Sequence, residues 1–288
     1  MSVAAWRTLL RERAPLPVLL AVGAAQTASA TVVVGAPLRA VPLAMGAATI
    51  AAQLVMLRLM DEVKDIAKDR VAYPARPLPR GLVTVEGTHR AVVNLARSLC
   101  AVGVVLAFAI GTAPAAWCLA TIGWSWLMYR EFYAPRLLAR NAFVYALTHQ
   151  AVLLPMYLFT MRLALPLGVL PAATLWFVLG GVGAGFAFEI ARKLDPAAPA
   201  ILRTYLARHR AGPTFSALAL ALGLAAWAAH SLGVAAIVWP FVVASLAAAA
   251  LTIAHPARHQ LVARTVGVLV VIQLLAPALR RAGEIIIP

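Results

Sequence analysis

Apolar runs long enough to cross a lipid bilayer constrain the fold of this chain more than any other feature. A membrane-spanning α-helix needs about 20 consecutive apolar residues, and a helix satisfies its own backbone hydrogen bonds within lipid. The runs lie at 15–34, 38–60, 91–111, 114–129, 142–162, 166–188, 213–232, 233–254 and 264–280. We therefore predict an all-α membrane protein, a bundle of about nine transmembrane helices in a single domain over residues 1–288. The fourth run is short and the two runs over 213–254 are split only at 230–233, so the count could be eight or ten.

Composition supports a membrane protein. The chain is 63% hydrophobic and 12% charged, whereas about 25% of the residues in soluble domains are charged. Residues 28–30 resemble a signal-peptidase site, but the apolar run continues beyond them, so we favour an uncleaved first helix over a cleaved signal. Cys100 and Cys118 lie within apolar runs and predict neither a disulfide nor a metal site.

The basic residues indicate how the chain is oriented. The formal net charge is +15, but the cations are spread over several loops, which argues against a nucleic-acid partner. If the N-terminus is cytoplasmic, 20 of the 25 Lys and Arg residues fall on the cytoplasmic side and 4 on the other. This asymmetry predicts a multi-pass protein with a cytoplasmic N-terminus, as in a bacterial inner membrane. The long charged loops at 61–90, 130–141, 189–212 and 255–263 are then cytoplasmic.

Four of the ten acidic residues follow the second apolar run within nine positions: Asp61, Glu62, Asp65 and Asp69. On one continuous helix, at ~100° per residue, they would share an arc of about 100°. Carboxylates this close repel one another unless a cation lies among them, and Mg²⁺ suits an all-oxygen cluster that also receives a substrate's phosphates. The alternative is a set of surface ion pairs with Lys64 and Lys68.

A stiff basic loop comes next. Three prolines and a glycine between residues 73 and 84 fix a non-helical path. Arg76 and Arg80 lie on this loop, and arginine is suited to bidentate contact with phosphate. One segment therefore supplies carboxylates for a metal and guanidinium groups for a phosphate.

These residues resemble the first signature of the UbiA superfamily of intramembrane prenyltransferases, N-D-x-x-D-x-x-x-D followed by R-P-[IL]-x-x-G. Asp61 stands where the family has Asn, and Glu62 where it has Asp. Residues 129–136 resemble the family's Y-x-x-x-K-R region more loosely. The second aspartate motif is degraded, since Glu189 keeps its first acid but Arg192 and Lys193 replace the middle one. Residues 203–205, Arg-Thr-Tyr, fall where many members carry T-Y or T-L.

The resemblance implies Mg²⁺-dependent transfer of an isoprenyl group from a prenyl diphosphate to a hydrophobic aromatic or lipid acceptor. It implies a polar cavity that opens to the cytoplasm, with membrane lipid around it. The expected catalytic and metal-binding residues are Asp61, Glu62, Asp65 and Asp69. The expected substrate-binding residues are Arg58, Tyr73, Arg76, Arg80, Asn94, Tyr129, Arg130, Glu189, Arg192 and Lys193.

Several alternatives remain open. Arg192 and Lys193 either neutralise phosphate directly or form a simple helix-end pair with Glu189. The glycines at 180–185 lie within an apolar run and indicate close helix packing or room for a lipid tail, not a dinucleotide loop. Other functions of the same family are phosphoribosyl transfer to a polyprenyl phosphate and prenyl cyclisation. Outside the family, the pattern also suits a transporter or a non-catalytic membrane scaffold.

Overall fold

The computed structural model describes residues 2–202 and 204–286, and these residues form helices and loops with no β-strand. Arg203 lies outside the described residues. The predicted all-α fold class is confirmed. The helices, in chain order, are α1 Val3–Arg13, α2 Leu16–Val33, α3 Ala40–Lys64, α4 Ile66–Ala72, α5 Val85–Ala109, α6 Thr112–Tyr129, α7 Pro135–Leu138, α8 Ala142–Gln150, α9 Leu153–Ala164, α10 Ala173–Ala191, α11 Tyr205–Arg208, α12 Ala211–Ser231, α13 Ala235–Ala254 and α14 His259–Ile286.

Each predicted apolar run becomes one long helix or, at 142–162, the pair α8 and α9. Eight described segments are long and apolar enough to span a membrane: α2, α3, α5, α8 with α9, α10, α12, α13 and α14. The run at 114–129 forms α6, an 18-residue helix that is not among those eight. The predicted number of about nine therefore stays a prediction.

The helices form a closed ring of antiparallel and parallel neighbours. Going round the ring, α2 packs on α3, α3 on α5, α5 on α6 and α6 on α9. On the other side α9 packs on α10, α10 on α12, α12 on α13 and α13 on α14, and α10 also contacts α14 across the ring. The ring closes where α14 packs against α2, and Ala278 N–H donates to Ser29 Oγ at 3.3 Å. The first and last long helices are therefore neighbours.

Small residues bring the helices of this ring close together. A Cβ atom added to Gly183 on α10 would lie 2.9 Å from the carbonyl oxygen of Ala221 on α12. On the other side of the bundle, a Cβ on Gly23 of α2 would meet the backbone of Ala47 on α3. Helices in lipid gain stability from such close backbone approach. The glycines at 180–185 thus serve helix packing at Gly183, as predicted.

The two ends of the bundle differ in length and charge of their loops. One end carries the segments 65–84, 130–141, 192–202, 204–210 and 255–258, which hold most of the described loop cations, and we call it the charged end. The other end carries the short turns at 34–39, 110–111, 165–172 and 232–234. The long charged loops predicted to share one side of the membrane do lie together.

Candidate active site

A cavity of about 730 Å³ opens at the charged end. Its walls are the C-terminal turns of α3 and α10, helix α4, the α8–α9 junction and the first turns of α14. Eight Lys and Arg side chains and six Asp and Glu side chains line it, so cationic side chains outnumber anionic ones by two. Such a surplus in a partly enclosed space attracts an anion.

Ten of the fourteen predicted site residues line this cavity. They are Arg58, Asp61, Glu62, Asp65, Asp69, Tyr73, Arg76, Glu189, Arg192 and Lys193. Residues from α3, α4 and the end of α10 are thus brought to one place although 120 positions separate some of them. The structure therefore brings most of the predicted residues together, and their binding and catalytic roles stay predictions.

The structure places the other four predicted residues away from the cavity wall. Arg80 turns outwards and donates to Glu12 Oε1 at 3.0 Å. Asn94 is exposed on the outer face of α5, because the buried face of that helix is set by Val92 and Leu99. Tyr129 and Arg130, at the end of α6, also point elsewhere. The Tyr129 hydroxyl lies 2.9 Å from His89 Nδ1, and the Arg130 guanidinium lies over the Tyr133 ring.

The predicted acidic arc is not one helical face. Helix α3 ends at Lys64, Asp65 adopts φ −93° and ψ 6°, and α4 begins at Ile66. Asp61 and Glu62 therefore lie on one helix and Asp69 on another, with Asp65 at the break. The assumption of an unbroken helix from 58 to 69 was wrong.

Each of the four acids already has a basic partner. Asp61 lies 4.0 Å from Lys64, Asp65 2.7 Å from Lys68 and Asp69 2.7 Å from Arg76. Glu62 is paired with Arg13 at 2.6 Å and Arg58 at 3.9 Å. The counter-charge for the acidic cluster thus comes from the protein itself. The sequence did not predict Arg13 as a partner of Glu62, because the two residues lie 49 positions apart in different helices.

The four acids differ in how accessible they are. The side chains of Glu62 and Asp69 are 1% and 6% exposed, whereas those of Asp61 and Asp65 are 50% and 34% exposed. Glu62 Oε2 is buried, and it has no hydrogen-bond partner among the described residues. No three His, Cys, Asp or Glu residues in the described part of the chain are grouped so that they alone could hold a metal ion. Oxygen donors suit Mg²⁺, and of these four acids Asp61 and Asp65 are the more open to the cavity.

The loop after α4 holds its arginine as the prolines predict. The Arg76 guanidinium stacks 3.7 Å above the centre of the Tyr73 ring and donates to Asp69 Oδ2 at 2.7 Å. Gly81 has φ +76°, a conformation that glycine adopts without strain. Arg76 therefore lies at a fixed point of the wall, beside the acids.

The opposite wall is basic. Glu189 is buried at the end of α10 and binds both Arg192, whose Nε donates at 2.6 Å, and Lys193, at 2.5 Å. The helix-end pairing considered from the sequence is thus present, and both cations also line the cavity. Two cations share one carboxylate here, so this wall keeps a positive charge. Asp195, in contrast, accepts from Ala197 N–H at 2.9 Å and lies 3.8 Å from His259.

Lys64 and its polar partners connect the two walls, and the sequence did not predict this cluster. Lys64 Nζ lies 3.0 Å from the Tyr145 hydroxyl, 3.3 Å from His149 Nε2 and 3.4 Å from Glu131 Oε1. Lys64, Tyr145 and His149 all line the cavity. Lys64 stood within the acidic stretch, but no spacing in the sequence links it to residues 81 and 85 positions later.

Glu131 reaches Lys64 from a strained turn. Glu131, Phe132 and Tyr133 have φ of 51°, 51° and 56°, the left-handed region that non-glycine residues rarely occupy. The Phe132 ring packs edge-on against Trp124 and His149, which holds the turn in place. Strain of this kind persists where the surrounding contacts enforce it, often beside a functional site.

A second cavity, of about 620 Å³, lies at the other end of the bundle. Its wall is made largely of apolar residues from the ends of α2 and α12, together with Arg280 and Arg281. Both arginines are paired with Glu284. This cavity has none of the predicted site residues.

Comparisons with known proteins bear on the fold. No protein-family model matches the chain, and no curated protein matches it in sequence. A solved structure of a digeranylgeranylglyceryl phosphate synthase in membranes is similar, with 13% sequence identity and a TM-score of 0.66. The match covers 96% of this chain and 98% of that chain. At this identity the two proteins share a fold, and the likeness extends over nearly the whole of both.

Proposed function

We propose that the protein is a membrane prenyltransferase of the UbiA superfamily. It would transfer an isoprenyl group from a prenyl diphosphate to a hydrophobic acceptor dissolved in the bilayer. One observation carries the proposal: a cavity with a surplus of cationic side chains lies at the end of an apolar helix bundle. The shared fold with a digeranylgeranylglyceryl phosphate synthase and the resemblance of residues 58–84 to the first family signature support it.

The cavity suits a substrate with one anionic end and one apolar end. Arg58, Arg76, Arg192 and Lys193 are the cations that we propose for the diphosphate. Glu62 and Glu189 are each shared by two basic side chains, which leaves positive charge available on both walls. Arg264 also lines the cavity, and no carboxylate within the described structure lies within ion-pair distance of it. The apolar end would meet Leu57, Met128 and Leu153.

The proposed reaction breaks the bond between C1 of the prenyl group and the diphosphate oxygen. The diphosphate leaves with the electron pair and the surrounding cations stabilise its charge. The allylic cation that remains bonds to an electron-rich atom of the acceptor, whose displaced proton passes to the released diphosphate or to water. The apolar part of the wall limits the access of water that would quench the cation.

Magnesium is the cofactor that the resemblance implies. Mg²⁺ in proteins is commonly held by one or two carboxylates together with substrate phosphates. Asp61 and Asp65 fit that pattern because they are the accessible acids of the four, whereas Glu62 and Asp69 are buried in ion pairs with Arg13 and Arg76. When bound with the donor, the ion would neutralise charge on the leaving diphosphate. We therefore assign Glu62 and Asp69 a structural role in this proposal.

Incubation of the purified protein with prenyl diphosphates of increasing chain length and a membrane-lipid extract tests the function. We expect release of inorganic diphosphate together with an acceptor whose mass has increased by the prenyl group. A chelator should stop the reaction, and Mg²⁺ or Mn²⁺ should restore it. As a control, Arg70→Gln removes an exposed cation of α4 that does not line the cavity and should leave the rate unchanged. Failure to consume any prenyl diphosphate would rule out the proposed function, and full turnover in chelator would rule out the metal.

A further inference from the structure

Tyr145 on α8 lies where the two walls of the cavity meet. Lys64 Nζ, from α3, lies 5.5 Å from the centre of its ring, and Lys193 Nζ, from the end of α10, lies 6.0 Å from it. The ring also stacks on His149, with centroids 3.9 Å apart. One aromatic side chain therefore contacts the cations of both walls, which come from segments almost 130 positions apart.

The Lys64 ammonium group is held at a fixed point beside this ring. Lysine has only donor hydrogens, so the Tyr145 hydroxyl oxygen and His149 Nε2 both accept from it, at 3.0 and 3.3 Å. His149 Nδ1 lies 2.8 Å from the carbonyl oxygen of Tyr145, which leaves the ring hydrogen on Nδ1 and the lone pair on Nε2. Two of the four groups around the ammonium are thus neutral, and the other two are the carboxylates of Glu131 and Asp61, at 3.4 and 4.0 Å.

The Tyr145 hydroxyl can also donate a hydrogen bond. Because it accepts from Lys64, its own hydrogen points elsewhere, and its acceptor is Glu131 Oε1 at the long distance of 3.3 Å. A phosphate oxygen that meets Lys64 and Lys193 in the cavity would offer this hydrogen a second charged acceptor besides Glu131. Hydrogen bonds to a charged acceptor are stronger than those between neutral groups.

We propose that Lys64, the Tyr145 hydroxyl and Lys193 form a phosphate-binding notch that takes the terminal phosphate of the donor. The inference rests on the proposed function for the identity of the ligand, but not for its chemistry, which is that of a diphosphate. Lys64 and Tyr145 join the site as binding residues, and His149 and Glu131 act as positioning residues that aim Lys64 into the cavity. The alternative is that Lys64, Tyr145 and His149 only stabilise the contact between α3 and α8.

Binding of inorganic diphosphate to the full chain in detergent, measured by calorimetry, separates the two views. Loss of a charged partner should weaken binding about tenfold or more, so we expect this for Lys64→Met and Lys193→Met. Tyr145→Phe keeps the ring, its stacking and its packing but removes the hydroxyl, and should weaken binding by about fivefold. Lys64→Arg should restore part of the affinity. Arg70→Gln, which removes a cation of the same end outside the cavity, should bind like the wild type.

The results distinguish failure of the phosphate-binding notch from failure of the proposed function. Wild-type affinity in both Lys64→Met and Tyr145→Phe would overturn the notch, even if either variant unfolds at a lower temperature, because a cross-link alone predicts that result. A wild-type protein that does not bind inorganic diphosphate would overturn it as well. If binding depends on Lys64 but no prenyl diphosphate is consumed, the notch stands and the proposed function fails. If prenyl transfer proceeds with an unchanged donor KM in Lys64→Met, the function stands and the notch fails.

Discussion

Glu62 shows how a single buried carboxylate organises the acidic part of the site. Its side chain is 1% exposed, and it joins α3 to Arg13 at the end of α1. Arg58 Nε donates to the carbonyl oxygen of Arg13 at 2.9 Å, so the two arginines are tied to each other as well. Breaking a buried ion pair by removal of one partner leaves an uncompensated charge, which costs far more than loss of an exposed pair.

This contrast predicts the effect of two arginine substitutions. Arg13→Ala should lower the free energy of unfolding by about 1.5–3 kcal/mol, because the buried Glu62 carboxylate loses its closest cation and keeps only Arg58, at 3.9 Å. Arg80→Ala removes the exposed pair with Glu12, 40% and 35% exposed, and should cost less than about 1 kcal/mol. Unfolding in mixed micelles measures both. Equal losses of unfolding free energy in the two variants would show that the Glu62 carboxylate is not shielded from water.

Two aspartates of the cavity wall should respond differently to loss of charge. Asp65→Asn should lower kcat/KM by at least ~10²-fold, since it removes an accessible carboxylate that we propose as a magnesium ligand. Asp195→Asn should have little effect on kcat/KM. Asp195 accepts a hydrogen bond from Ala197 N–H, and the side-chain oxygen of asparagine would still accept it. Prenyl-transfer rates of the two variants provide the test. A larger loss for Asp195→Asn would show that the second half of the site is wrongly assigned.

Substitutions of Arg192 test how binding of the diphosphate donor depends on the basic wall and on the Mg²⁺ concentration. Arg192→Ala should raise the donor KM at every Mg²⁺ concentration, because a cation that lines the cavity is lost while Lys193 still neutralises Glu189. Arg192→Asp should raise it further and be partly rescued at high Mg²⁺, where a second ion has a new carboxylate to bind. The measurement is donor KM against Mg²⁺ concentration for the wild type and both variants. An unchanged KM in both would mean that Arg192 serves only to fix the membrane topology.

At the scale of the helices, the contact between α10 and α12 depends on a missing side chain. Gly183→Ala would place a methyl group 2.9 Å from the Ala221 carbonyl oxygen and 3.0 Å from the Ala225 nitrogen, so the two backbones must separate. We expect a loss of about 1–3 kcal/mol. Gly223→Ala on α12, whose Cβ meets nothing within 4 Å, should be neutral or slightly stabilising. Thermal unfolding of the matched pair would contradict this account if both behaved alike.

The elements divide into those that the sequence determines locally and those that tertiary contacts determine. Apolar runs predicted the long helices because lipid exposure and helix length are read directly from composition. The break at Asp65 was not predictable, since residues 58–69 hold no proline or glycine to interrupt a helix. The same limit applies to Lys64 with Tyr145 and to Glu62 with Arg13, whose partners lie 81 and 49 positions away. Chemistry within one segment was predictable, and pairing between segments was not.

For the whole molecule, the charge asymmetry predicts which side of the membrane the cavity faces. With Cys100 and Cys118 replaced by alanine, Arg140→Cys at the charged end should stay unlabelled by an impermeant maleimide added to intact cells. Val169→Cys, 93% exposed in the short turn at the other end, should be labelled. Both should react after the membrane is permeabilised. The reverse pattern would place the cavity outside and contradict the positive-inside argument.

The contact between α2 and α14 has a consequence for how the protein is made. Helices enter a membrane in the order of synthesis, so the ring stays open until α14 follows the other helices. During that interval Ser29, whose hydroxyl accepts from Ala278 N–H of α14 in the finished protein, faces lipid or the insertion machinery. Polar groups in hydrocarbon are costly. A ribosome stalled before α14 would therefore hold a nascent chain in which α2 still lacks its polar contact with the last helix.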